Sequence, residues 1–166
     1  MNKLNTFFII STILFCFVSF LPKRAIGAVG DTYNQMTSIY GAPKASMTLS
    51  MMAGNNPIKR QYYQSNGVTA YIFNATEKIM NSNVNITVHA YFNKKDVCYK
   101  MTSNKNHLIP SPSVFVGSLA STKPVTISTV PNLVLQYGSD SNKVIFMVSG
   151  ITGNFRATAY SPALKP

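Results

Sequence analysis

The chain has 166 residues, of which 15 are Lys or Arg and only four are Asp or Glu. Charged residues make up 11% of the sequence, against about 25% in ordinary globular proteins, so solubility depends on Asn, Ser and Thr. Of its two cysteines, Cys16 lies in an N-terminal segment predicted below to be removed, and Cys98 alone cannot form an internal disulfide. Packing must therefore supply the stability.

The first segment of interest is an uncharged apolar run at residues 7–21, preceded by Lys3 and followed by Pro22. A helix of this length is shorter than the roughly 20 apolar residues that a bilayer span needs. Small residues follow it at Ala25, Gly27 and Ala28. This layout predicts a secretory signal peptide at residues 1–28, with cleavage after Ala28 and Val29 as the first mature residue.

Two alternatives to a cleaved signal peptide are a retained anchor and a lipid-modified cysteine. Lys23 and Arg24 lie on the side that would have to cross the membrane, which favours a retained N-terminal anchor. Cys16 lies within the run, but the bulky Phe15 before it argues against lipid attachment. Cleavage would leave residues 29–166 as a single exported domain with twelve basic and four acidic residues, a net charge of +8.

The first predicted element of the mature chain is a helix in "GDTYNQMTSIYGAP", at residues 30–43. Asp31 or Thr32 can cap its start, and Gly41 and Pro43 are typical of its end. One face is marked by the helical spacing of Met36, Ile39 and Tyr40. Gly41 and Pro43 are therefore predicted to be structural turn residues.

The remainder of the chain predicts strands. "SMTLSM" alternates with a period of two, and Asn66-Gly67 in "RQYYQSNGVTAYIF" indicates a hairpin, while "TEKIMNSN" suggests a loop or helical turn. "VNITVHAYF" and "VCYKM" flank the turn "NKKD". Further strands are expected in "VFVGSL", "VTISTV", "LVLQY", "KVIFMVS" and "FRATAYS", with a turn at "GSDSN". The predicted fold class is α+β, with an N-terminal helix packed on a mainly antiparallel sheet with several hairpins.

Residues 30–103 carry a pattern that resembles a known family. The shared positions in the helix and turn are Gly30, Thr32, Gln35, Met36, Tyr40, Gly41 and Pro43. With "RQYYQ" and "ITVHAYFNKKDVCYKM", they resemble the SmpA/OmlA class of small outer-membrane assembly lipoproteins, whose fold is similar to that of β-lactamase inhibitor proteins. The chain lacks that class's lipobox cysteine and its tryptophan, and residues 104–166 have no counterpart. The resemblance implies a scaffold that binds other proteins, without catalysis.

The catalytic inventory is small. The four carboxylates of the mature chain are far apart in sequence, and His89 and His107 have no neighbouring ligands at metal spacing. We therefore predict no catalytic residue, no metal site and no cofactor. A small secreted hydrolase is the alternative, and it would need one of these histidines within about 3 Å of a serine or carboxylate.

The best candidate binding surface lies in "PIKRQYYQ", where basic side chains stand beside aromatic ones at Lys59, Arg60, Tyr62 and Tyr63. Interfaces are enriched in Tyr and Arg. A second basic cluster at Lys94, Lys95 and Lys100 could keep a sheet edge soluble. The sequence thus predicts a monomeric, non-enzymatic protein of the cell envelope or extracellular space, with a protein partner and no nucleic acid. Contact with an anionic membrane surface is the alternative if the leader is retained.

Overall fold

The computed structural model of the protein describes residues 27–79, 82–107, 109–150 and 153–166. The predicted signal peptide therefore lies, apart from Gly27 and Ala28, outside the described residues. The α-helices are α1 (Tyr33–Tyr40), α2 (Leu49–Ala53), α3 (Pro57–Ser65) and α4 (Ser113–Val116). The strands are β1 (Ala45–Ser46), β2 (Thr69–Ile79), β3 (Ser82–Phe92), β4 (Cys98–Ser103), β5 (Val125–Ser128), β6 (Leu133–Tyr137), β7 (Val144–Ser149) and β8 (Arg156–Tyr160).

All eight of these strands belong to one antiparallel sheet, in the order β1-β2-β3-β4-β8-β7-β6-β5. The long β2–β3 hairpin pairs Thr69 with Phe92 at one end and Ile79 with Ser82 at the other. Pairing of β4 with β8 joins the first half of the sheet to the second. One continuous sheet therefore connects the two halves of the described chain.

One face of the sheet, here called the closed face, carries the main core. Its largest buried side chains are Phe73, Phe92, Phe115, Phe146, Met36, Ile86 and Met101. Helices α1 and α4 cover this face. The ring centroid of Phe115 in α4 lies 5.7 Å from that of Phe146. Burial of these aromatic and aliphatic side chains is the principal source of stability.

Helix α1 begins and ends as its sequence predicts. The Thr32 hydroxyl accepts a hydrogen bond from the Gln35 backbone N–H, and the Gln35 side chain accepts one from the Thr32 backbone N–H, which completes a capping box. Gly41 ends the helix at φ +79°, and Pro43 follows. Met36, from the predicted apolar face, is fully buried.

The described residues cover the opposite face, here called the open face, only in part. Helices α2 and α3 pack over one end of it around a second, smaller cluster. The buried members of that cluster are Met47, Ala53, Tyr63, Val68, Ala70, Tyr91 and Tyr99. The uncovered part of the open face carries polar and half-exposed side chains, among them Tyr160 of β8.

The predicted fold class is wrong in its balance of elements. The described chain is mainly an eight-stranded antiparallel sheet with four short helices, and the first helix begins only at Tyr33. The hairpin predicted in "RQYYQSNGVTAYIF" is also wrong, because "RQYYQ" belongs to α3 and is not a strand. The Asn66-Gly67 pair accordingly ends that helix instead of turning a hairpin.

Three other local predictions also fail. "SMTLSM" was predicted as a strand, but Leu49–Ala53 is helical. "TEKIMNSN" belongs to the long β2–β3 hairpin where it is described, and "VFVGSL" forms α4 and the start of a 3₁₀ turn. The β3–β4 hairpin, the "GSDSN" turn and strands β5 to β8 are confirmed.

Candidate binding cleft

Helix α3 forms one wall of the candidate site, and local chemistry explains where it begins. The Asn56 side-chain oxygen accepts a hydrogen bond from the Lys59 backbone N–H at 3.0 Å, and Pro57 occupies the first helical position. Both features are typical of a helix start. The turn of α3 that contains Lys59 and Tyr62 therefore has a fixed position above the open face.

The floor of the site comes from the sheet. Lys100 of β4 lies directly opposite Tyr160 of β8 and is also paired in register with Tyr91 of β3. A cleft of about 550 Å³ separates this floor from α3. Its lining consists of Ile58, Lys59, Tyr62, Tyr63, Tyr99, Lys100, Thr158, Tyr160 and Lys165. We call this the basic cleft.

Three lysines give the basic cleft its electrostatic character. Burial lowers the pKa of Lys100, and the nearby charges of Lys59 and Lys165 lower it further. In the part of the chain that the structure describes, no Asp or Glu side chain lines the cleft. The positive charges of the cleft are thus not neutralised by its own lining residues, and an anionic group entering it would relieve their mutual repulsion.

Aromatic rings lie beside two of these lysines, Lys100 and Lys165. The Lys100 Nζ atom lies 4.6 Å from the centroid of the Tyr91 ring, and the Lys165 Nζ atom lies 5.8 Å from that of Tyr62. Tyr62 also donates a hydrogen bond from its hydroxyl to the main-chain oxygen of Pro166 at 2.7 Å. The C-terminal segment is thereby held against α3, which brings Lys165 to the cleft.

Three of the four predicted surface residues line the basic cleft, namely Lys59, Tyr62 and Tyr63. Tyr63 is buried and serves mainly as packing, with its ring 6.0 Å from that of Tyr91. Arg60 points elsewhere on α3, where its guanidinium donates to the Ser50 hydroxyl at 3.1 Å. Lys59 and Tyr62 are therefore the predicted residues best placed to contact a ligand.

The second predicted basic cluster is divided by the fold. Lys94 and Lys95 are exposed in the β3–β4 turn, whereas Lys100 is half-buried in the floor of the basic cleft. Sequence reasoning did not place four further cleft residues beside α3, namely Lys100, Thr158, Tyr160 and Lys165. They come from segments 35 to 100 residues away along the chain, and only sheet pairing brings them to α3.

The histidines occupy unremarkable positions. His89 is half-buried in β3, where burial and the nearby Arg156 charge lower its pKa, and His107 is exposed. Among the hydrogen bonds of the described residues, none joins either imidazole to a serine or a carboxylate. The same residues contain no group of three His, Cys, Asp or Glu side chains that could hold a metal ion.

The carboxylates are likewise dispersed. Glu77 accepts hydrogen bonds from the Ser111 backbone N–H, and Asp140 forms an exposed ion pair with Lys143. Asp31 lines a second cleft, of about 950 Å³, beside the first described residues of the chain. No other charged residue that the structure describes lines that second cleft.

Within the described ranges, none of the helices is long and apolar enough to span a membrane. No protein-family model, no curated protein and no solved structure matches this chain. The resemblance to the SmpA/OmlA class stays a prediction.

Proposed function

We propose that this chain is an exported, non-enzymatic binding protein, whose basic cleft receives an acidic segment of a protein partner in the cell envelope or outside the cell. The observation that carries the proposal is that Lys59, Lys100 and Lys165 meet in one concave site lined by tyrosines, with no Asp or Glu side chain among its described lining residues. Such a combination suits recognition of Asp or Glu side chains beside apolar ones.

The shape of the site favours a protein segment over a lipid surface. Lys100 is half-buried at the floor of the cleft, behind α3, so a flat array of headgroups would reach it poorly. An extended peptide can insert carboxylate side chains into a concave site of this size. Its apolar side chains would contact Tyr62 and the exposed Ile58 at the rim.

Export is the second part of the proposal, and it rests on the apolar run at residues 7–21. A basic cleft of this kind in the cytosol would meet abundant nucleic acids and phosphorylated metabolites. In the periplasm or outside the cell, the principal anionic ligands available to the cleft are acidic protein segments and anionic lipids. We propose that the protein works there as a monomer.

A titration with synthetic peptides tests the cleft. A fluorescently labelled peptide rich in Asp, Glu and Leu is compared with an analogue in which Asn and Gln replace the acids. The double variant Lys59→Glu, Lys165→Glu should weaken binding of the acidic peptide by about tenfold or more, which corresponds to roughly 1.4 kcal/mol. The neutral analogue should bind weakly to every form of the protein.

The matched control is Lys94→Glu, Lys95→Glu, which changes the net charge equally but lies outside the basic cleft. It should retain most of the affinity. Equal losses in both double variants would show that net charge alone drives binding and would contradict the proposal. Vesicles of anionic lipid form a separate arm, and strong vesicle binding without peptide binding would favour the membrane alternative.

A further inference from the structure

The first described residues of the chain are integral parts of the fold. Ala28 and Val29 are only 4% and 8% exposed. The Ala28 backbone N–H donates to the Asp31 carboxylate at 2.8 Å, and the Ala28 carbonyl accepts from the Asp31 N–H at 3.1 Å. The Val29 N–H donates to the Phe115 carbonyl at 3.0 Å, which ties the segment to α4.

The Asp31 carboxyl group is half-buried and has a backbone N–H as its hydrogen-bond donor. Burial raises the pKa of this carboxyl group, and the Ala28 hydrogen bond only partly opposes that effect. Within the described residues, this carboxyl group accepts the one hydrogen bond from Ala28 and forms no ion pair. A positive charge at the Ala28 nitrogen would supply the missing counter-charge.

We propose that the leader is removed by hydrolysis of the Gly27–Ala28 peptide bond, and that the new α-ammonium group of Ala28 pairs with Asp31. This inference rests on the export part of the proposed function. A membrane-bound signal peptidase adds water across the bond, so Gly27 leaves with the leader as a carboxylate. The released amine of Ala28 takes up a proton at neutral pH.

The sequence around this bond suits such processing. Cleavage after Gly27 puts Gly27 and Ala25 at the last and third-last leader positions, so both are small. Cleavage after Ala28, indicated by the sequence pattern alone, puts the bulkier Ile26 at the third-last position. It would also remove the only described donor to Asp31 and create an ammonium group at the buried Val29 nitrogen, facing the Phe115 carbonyl.

The packing around Gly27 indicates when cleavage must occur. A Cβ atom at Gly27 would lie 2.6 Å from the Tyr40 ring, and the Gly27 carbonyl accepts a hydrogen bond from the Tyr40 hydroxyl. The folded precursor therefore buries the bond, and the peptidase must act before folding. After cleavage the Tyr40 hydroxyl keeps the Val114 carbonyl, at 3.2 Å, as its acceptor.

Two substitutions in the full-length chain distinguish cleavage at Gly27–Ala28 from cleavage at Ala28–Val29. The peptidase acts on the unfolded chain, so leader removal in these variants does not depend on whether they fold. Gly27→Phe should block cleavage and accumulate the precursor, since a large side chain then occupies the last leader position. Ala28→Phe should be processed normally. The reverse pattern would overturn the inference, and so would an exported wild-type product that begins at Val29.

Intact mass and N-terminal sequencing of the exported wild-type protein complete the test. We expect a first residue of Ala28. Recovery of the full-length chain in the cytosol or membrane would contradict export itself, and with it this inference. Processing at any bond other than Gly27–Ala28 would contradict the inference alone.

The ion pair has its own readout in the processed protein. Asp31→Asn should lower the melting temperature of the form that begins at Ala28, and N-terminal acetylation of that form should remove most of the difference. Asp140→Asn, which alters an exposed carboxylate, should leave the melting temperature nearly unchanged. An Asp31→Asn effect that acetylation leaves intact would contradict the pairing.

Discussion

Aromatic residues occur on both faces of the sheet, but they contribute to stability on the closed face and to the basic cleft on the open face. On the closed face, Phe73 and Phe146 are at most 1% exposed beneath α1 and α4, and they contribute mainly to stability. On the open face, α3 covers only one end, and Ile58 is 77% exposed beside the basic cleft. A sheet stabilised mainly from one side can thus hold a partly desolvated charged group such as Lys100 on the other side.

A first prediction tests whether stability resides on the closed face. Phe73→Ala should lower the free energy of unfolding by about 3–5 kcal/mol, because it removes a fully buried ring and leaves a cavity. Urea denaturation of purified protein measures this. Ile58→Ala on the open face is the control, expected within about 0.5 kcal/mol of the wild type. Similar losses of unfolding free energy from both substitutions would contradict the view that the closed face supplies most of the stability.

A second prediction concerns the seam between the two halves of the sheet. The buried Ser103 hydroxyl accepts a hydrogen bond from the Ala157 N–H at 3.0 Å and donates to the Asn104 carbonyl at 2.7 Å. Ser103→Ala should cost about 1–3 kcal/mol, since it leaves a buried N–H without a partner. Denaturation of the exposed Ser121→Ala variant provides the baseline. Equal changes in unfolding free energy for both variants would show that the seam tolerates loss of the Ser103 hydroxyl.

The sequence predicted the closed face better than the open one, for physical reasons. Strand "VNITVHAYF" alternates cleanly because one side is buried, and the capping residues of α1 are local signals. Helix α3 was missed because its tyrosines suggested a strand, although Asn56-Pro57 carried a helix-start signal. Lys100 and Lys165 join α3 only through strand pairing and the C-terminal contact, so no local pattern could assign them to the cleft.

A third prediction tests how firmly α1 covers the closed face. Thr32→Ala removes the side-chain half of the capping box and should cost about 1 kcal/mol. Thr32→Ser keeps the hydroxyl and should restore most of that stability. Thermal unfolding followed by circular dichroism measures both variants. If the serine variant is as unstable as the alanine variant, the cap is not the cause of the loss.

A fourth prediction concerns the pH dependence of stability that arises on the open face. Because the pKa of Lys100 is lowered in the folded protein, the unfolded chain binds this proton more tightly, and unfolding free energy should rise with pH up to the ordinary lysine pKa of about 10.4. Lys100→Met should lack this contribution. The difference between wild-type and variant stability should therefore change in favour of the wild type between pH 7 and pH 9.5. The unfolding free energy of the exposed Lys94→Met variant should change with pH as that of the wild type does. The same pH dependence in Lys100→Met would show that the lysine in the cleft floor is as well solvated as one on the surface.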